Sequence, residues 1–168
     1  MIIEKQIAIH IDIDSSWKVI GLDFAHPYKW ASGVNHSEGH GKHLGNTTCD
    51  ARACKIVLGN IEEKLTYYSD ENFHLAYIVT EGMPKMVKTA TNEWKLTFLT
   101  SYKTKLNIKM EFIFQGILGV LMQPLMKIKL KKMAQEMVEE FAFYVEKGNP
   151  HPRKIKAMKK NIKNILNY

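Results

Sequence analysis

The stretch from Gly116 to Lys147 constrains this chain more than any other, because it is long, helical in pattern and follows everything that reads as strand. Leu118, Met122, Met126, Leu130, Met133, Met137, Phe141 and Tyr144 recur every three or four residues, the spacing of one helix face. Lys127, Lys131, Glu136, Glu139 and Glu140 lie off that stripe. Gly148-Asn149-Pro150 ends the helix. Pro124 either kinks it or marks the start of its long part. One long helix placed after many antiparallel strands must bury its apolar face against them. The expected architecture is therefore α+β, a sheet closing around the helix.

The preceding residues alternate with a period of two, the signature of half-buried strands. Ile3, Ile7, Ile9, Ile11 and Ile13 share one face of the first strand. Asp14, Ser15 and Ser16 are N-cap candidates for two short helices, over about 15–22 and 24–29, ending near Trp30. Residues 31–54 are polar, with bends at Gly33, Gly39, Gly41 and Gly45. A turn around Val57–Gly59 follows. Ile61, Glu63, Leu65 and Tyr67 share a face of the next strand, and Phe73, Leu75, Tyr77 and Val79 a face of the one after. Val87–Phe98 carries Trp94. Leu106, Ile108, Met110, Phe112 and Phe114 then give the cleanest alternation in the chain.

A length of 168 residues suits one domain with a sizeable core. Cys49 and Cys54 are too few for a disulfide framework, which favours a reducing compartment. With no leader-like start and no stretch long enough to span a bilayer, a cytoplasmic protein is expected. The net charge of +7 is unevenly placed. Lys147, Arg153, Lys154, Lys156, Lys159, Lys160 and Lys163 carry all of it, and the remainder is neutral. A neutral body argues against nucleic acid as a partner.

The order of elements resembles the SRPBCC superfamily, also called START/Bet v1-like, and within it the polyketide cyclase/dehydrase-like branch. IHIDIDSSWKVIGLDFAHPYKW is similar to that family's opening strand and helix pair. ARAC and LGNIEEKLTYY resemble its Arg-then-Gly-x-Ile-x-Glu hairpin, YIVTEGMP its next strand end and FAFYVEKG its closing helix. Asp14 departs from the proline common before the first helix, and the Gly33–Gly45 region is unusually rich in histidine. The resemblance implies a helix-grip fold over 1–148. About six to seven curved antiparallel strands wrap the long helix and leave an apolar cavity, with 149–168 as an appended tail. It implies binding or transport of a small hydrophobic or amphipathic ligand (a lipid or polyketide) without a cofactor. The alternative is a cyclase or dehydrase-like enzyme whose catalytic residues would be Glu63 with Arg52, or a tyrosine such as Tyr67 or Tyr77. Fold kinship does not decide between them.

Trp30, Tyr67, Tyr77, Trp94, Met110, Phe112, Met122, Met126, Met133 and Met137 are the expected ligand-lining residues. Flexible thioethers suit an adaptable apolar site, though the same residues also make an ordinary core. A hairpin turning near Val57 pairs Arg52 with Glu63. An inward Glu63 is then either a polar anchor, an acid or base in catalysis, or half of a cross-strand ion pair. His36, Glu38, His40 and His43 are too spread along an extended strand to share one ion, so no metal site is expected. In the tail, Ile155, Met158, Ile162 and Ile165 recur among lysines as a basic amphipathic helix. Its stripe is expected to pack on the domain or on a second copy in a homodimer. The competing partner is an anionic membrane, on which the tail would present a lipid.

Overall fold

The computed structural model describes residues 1–57 and 59–166, with the side chains of 163–166 outside the described residues. The turn position Leu58 and the Ile165 end of the tail stripe therefore lie outside them. Seven strands form one antiparallel sheet: β1 (Ile2–Ile9), β2 (Val34–His40), β3 (Ala51–Ile56), β4 (Gly59–Ser69), β5 (His74–Glu81), β6 (Val87–Thr100) and β7 (Lys103–Phe114). Their spatial order is β1-β7-β6-β5-β4-β3-β2. Helix α1 (Ile13–Trp17), a π-turn (Lys18–Leu22) and a 3-10 turn (Pro27–Lys29) join β1 to β2. The long helix α2 (Gly116–Lys147) and a final helix α3 (Pro152–Leu166) complete the chain.

Local chemistry explains these boundaries. Asp12, rather than the Asp14–Ser16 group, caps α1, its Oδ1 accepting from the Ser15 amide at 2.7 Å. Gly116 turns the chain from β7 into α2 at a φ of 70°, and Gly148 ends α2 at a φ of 68°, a conformation other residues adopt at a cost. α2 runs through Pro124 without interruption. The Val120 carbonyl that a proline leaves unbonded sits on an exposed turn, where solvent serves it.

Two expectations about faces are corrected. A bulge in β4 between Leu65 and Tyr67 shifts the register, so Leu65 opposes Tyr77 while Tyr67 opposes Ala76. One extra residue reverses the face of all that follow. Tyr67 is exposed, and Tyr68 turns in against Trp17, with ring centroids 5.4 Å apart. On α2 the buried stripe is Leu130, Ala134, Val138, Phe141, Ala142 and Val145. At about 100° per residue it lies roughly a quarter turn from the methionine stripe. Ala134 and Ala142 let helix and sheet approach closely, which the bulkier methionines would prevent.

The Tyr68 that the bulge brings inward completes a small polar lock. Asp70 accepts from Trp17 Nε1 at 2.8 Å, Tyr68 Oη at 2.7 Å and the Asn46 amide at 3.0 Å. Burial alone would raise its pKa. The donors from Trp17 and Tyr68 outweigh that and hold it below the ordinary 3.8. A depressed carboxylate stabilises the fold above its unfolded pKa and loses that contribution as pH falls. Asp70→Asn is therefore expected to lower unfolding free energy by about 1–2 kcal/mol at neutral pH. Urea titrations should show the gap from wild type narrowing below pH of about 4.

Candidate functional site

A line of polar side chains crosses the inward face of the sheet. Arg52 on β3 opposes Glu63 on β4, as the hairpin register predicts. Tyr77 on β5 opposes both Leu65 on β4 and Asn92 on β6, and Asn92 opposes Met110 on β7. All of Arg52, Glu63, Tyr77 and Asn92 are buried.

Arg52 organises one end. Its Nε donates to Glu63 Oε2 at 2.6 Å and its Nη1 to the Phe24 carbonyl at 2.5 Å. The guanidinium lies 4.0 Å from the centre of the Phe24 ring and 4.9 Å from that of Tyr77, so both rings meet a cation on their faces. Burial would lower the Arg52 pKa, but the Glu63 charge beside it more than offsets this and Arg52 stays protonated. Cys54 completes the group, its thiol 3.5 Å from Glu63 Oε2 and pushed up to about 12, first by burial. Burial likewise raises the Tyr77 phenol, which can donate a hydrogen bond but not serve as a base near neutral pH.

The other end of the line is incompletely bonded. Asn92 is 7% exposed, yet its Oδ1 has no hydrogen-bond partner. Next along the same face of β6, the buried Trp94 Nε1–H leans toward the Tyr77 hydroxyl without reaching hydrogen-bond geometry. An acceptor and a donor are thus left facing the interior. Buried polar groups in native structures are nearly always paired, so each such exception calls for an explanation. Asn92 was not among the residues singled out from sequence. Its signal was its place in the series Ala90, Asn92, Trp94, Leu96, one polar residue at the inward phase of a strand.

The other expected lining residues separate into groups. Trp30, Trp94 and Phe141 form a triangle with ring centroids 5.4–5.9 Å apart, filling the space between sheet and helix at that level. Met110 and Phe112 are buried beside them, and Met126 and Met137 pack half-buried against the same core. Met122 is half-buried, whereas Met133 and Tyr67 are exposed and line nothing inside. Two open grooves, of about 450 and 420 Å³, lie away from the Trp30–Trp94–Phe141 triangle, and the second reaches Glu63. One is on the outer face, around Gln6, Lys95 and Asn107, and the other is by His40, Asp50 and Glu62. His40 Nε2 and Glu62 Oε2 are 2.9 Å apart there. Both cysteines are buried free thiols.

The tail is docked, but by its polar side. Glu140, 2% exposed, accepts from the Ser32 amide and hydroxyl, each at 2.7 Å, and from Arg153 Nε at 2.8 Å. Lys154 Nζ donates to the Val34 carbonyl at 2.7 Å, and Asn161 Nδ2 to Asn35 Oδ1 at 2.6 Å. These contacts hold α3 on the edge strand β2. Ile155, Met158 and Ile162 face outward, 43–55% exposed, so of the expected partners the stripe does not pack on the domain. No helix among the described residues is long and apolar enough to cross a membrane.

A curved antiparallel sheet gripping a long C-terminal helix, with short helices after the first strand, defines the START-like helix-grip class. The chain belongs to the family described as polyketide cyclase / dehydrase and lipid transport, whose model matches residues 2–146. Solved structures agree at the level of fold. A START superfamily protein from Mycobacterium smegmatis is 11% identical, with 98% of each chain covered and a TM-score of 0.62. Truncated norcoclaurine synthase from Thalictrum flavum is 13% identical, covers 88% of this chain and 94% of its own, and scores 0.67. The XoxI protein of Bacillus cereus is 12% identical over 88% and 94%, at 0.66. Among curated proteins none matches in sequence. Membership in this family makes the chain a ligand-binding SRPBCC protein.

Proposed function

We propose that the protein binds a small, largely apolar molecule carrying one hydroxyl or carbonyl group, held between sheet and α2. The observation that carries this reading is the unpartnered Asn92 Oδ1, buried between Tyr77 and Met110. A ligand hydroxyl would satisfy it, and the nearby Trp94 N–H would serve a ligand oxygen. Because a carboxamide presents both acceptor and donor, the same position also suits a carbonyl.

Entry lies beneath the first half of α2. Between Val120 and Lys129 no residue is fully buried, and the sealing side chains there are the half-buried Met122, Gln123 and Met126. Unbranched thioethers re-pack around a guest more easily than branched side chains do. The reading is binding, not acid–base catalysis. Arg52 pairs with Glu63 through Oε2 and offsets the charge that would draw a proton, and Tyr77 keeps its own. Carriage to a membrane surface is the natural extension, supported by the outward Ile155, Met158 and Ile162 of α3 among exposed Lys156, Lys159 and Lys160.

Titrating isotope-labelled protein with 2-naphthol tests the site. The Asn92 carboxamide and Trp94 indole resonances are expected to shift together and saturably, while the Trp17 indole, bonded to Asp70, stays still. Shifts confined to residues of the two outer grooves would overturn the reading.

A further inference from the structure

The first half of α2 presents an apolar surface without charge. From Gln115 to Met126 it holds no charged residue. Ile117, Leu118, Val120, Leu121, Leu125 and Ile128 are 47–83% exposed. At about 100° per residue, Ile117, Leu121, Leu125 and Ile128 fall together on the helix face opposite the buried Gly119 and Leu130. Apolar side chains scattered singly on a surface are ordinary, but a contiguous face of this kind is not. Lys127, Lys129, Lys131 and Lys132 follow directly, all exposed. Between Glu111 and Glu136 the chain has no acid at all. The sole carboxylate contact of the four, among the described residues, is Lys132 to Glu136 at 3.9 Å.

We infer that this face is a membrane-docking surface. Ile117, Leu121, Leu125 and Ile128 sink into the acyl boundary of an anionic bilayer, while the four lysines meet lipid phosphates. The order of residues fits that depth profile, about three turns of apolar face ending in a cationic collar. A second copy of the chain fits less well. A two-fold contact through the same residues would bring eight lysines into one interface, counting four from each copy, with no carboxylate from 112 to 135 to oppose them. A bilayer supplies the missing negative charge.

This deepens the carriage reading, on which it rests, and makes the docking surface coincide with the helix segment beneath which the ligand enters. The α3 face is a separate surface, joined to the domain through Arg153, Lys154 and Asn161. The two can therefore be changed independently.

The test is co-sedimentation of the full chain with vesicles of phosphatidylcholine alone and of phosphatidylcholine with phosphatidylserine. Wild type is expected to bind the anionic vesicles and to lose affinity as salt is raised. A Leu121→Asp, Ile128→Asp variant is expected to bind at least about tenfold more weakly. A Lys129→Gln, Lys131→Gln variant should lose about tenfold on anionic vesicles only. All four positions are exposed, and circular dichroism checks that each variant remains folded. An Ile155→Ser, Met158→Ser, Ile162→Ser variant separates the two surfaces. If it alone abolishes binding, carriage survives and the α2 surface is wrong. If wild type binds neither vesicle, both fall. A dimer in sedimentation velocity that Leu121→Asp dissociates would also overturn the proposal in favour of self-association.

Discussion

Replacing Arg52 with methionine is expected to destabilise the protein by about 3–5 kcal/mol, because it leaves the buried Glu63 carboxylate without its partner. The size follows from the surroundings. Both residues are less than a tenth exposed, and the remaining contact to the carboxylate is a weak thiol donor from Cys54. Methionine fills part of the volume over Phe24 but cannot donate to Glu63 or to the Phe24 carbonyl. The pair itself need contribute little. Removing both charges, as Arg52→Met with Glu63→Leu, should restore most of the loss, since an apolar pair of similar volume avoids the desolvation cost. A double-mutant cycle by urea unfolding measures this directly. An Arg52→Met variant within about 1 kcal/mol of wild type would mean that water reaches the pair.

Asn92→Leu should act in the opposite sense on stability and on binding. Leucine has nearly the shape of asparagine and leaves no acceptor unpaired, so the ligand-free protein is expected to gain about 1 kcal/mol or more. A ligand hydroxyl loses its partner, and affinity for it should fall about tenfold. Few core substitutions separate these quantities. A residue kept for packing loses stability when changed, whereas one kept for a ligand loses only the ligand.

Much of the frame was legible because alternation and register are short-range properties. The β3–β4 turn placed Arg52 opposite Glu63, and the strand pattern put Met110, Phe112 and Trp94 inside. What escaped depended on events that hydrophobic spacing does not encode. One inserted residue in β4 exchanged the roles of Tyr67 and Tyr68, and either tyrosine satisfies a strand pattern. On α2 two stripes compete, one rich in methionine and one built around alanines. The sheet accepts the slimmer one, because helix–sheet distance is set by the smallest side chains at the contact. Glu140 looked like a surface acid, since its partners Ser32 and Arg153 come from loops and tail far away in sequence. Docking of α3 by Arg153 and Lys154 was hidden for the same reason: lysine-rich segments ordinarily face water.

The family is described by both chemistry and transport, and the binding proposed above rests on the inward face. Glu63 is neutralised by a fixed cation, Tyr77 is kept protonated, and the polar group still seeking a partner is the unreactive Asn92. These three observations support the proposal that places recognition, ahead of proton transfer, at the centre of the site.

Calorimetric titration of wild type and Asn92→Leu with 2-naphthol and naphthalene, paired with urea unfolding of the same samples, tests that placement most directly. Wild type should prefer the hydroxylated probe by about tenfold beyond any difference intrinsic to the pair. Asn92→Leu should lose that preference while unfolding at higher urea. An unchanged preference in a destabilised variant would contradict the account and make Asn92 part of the core.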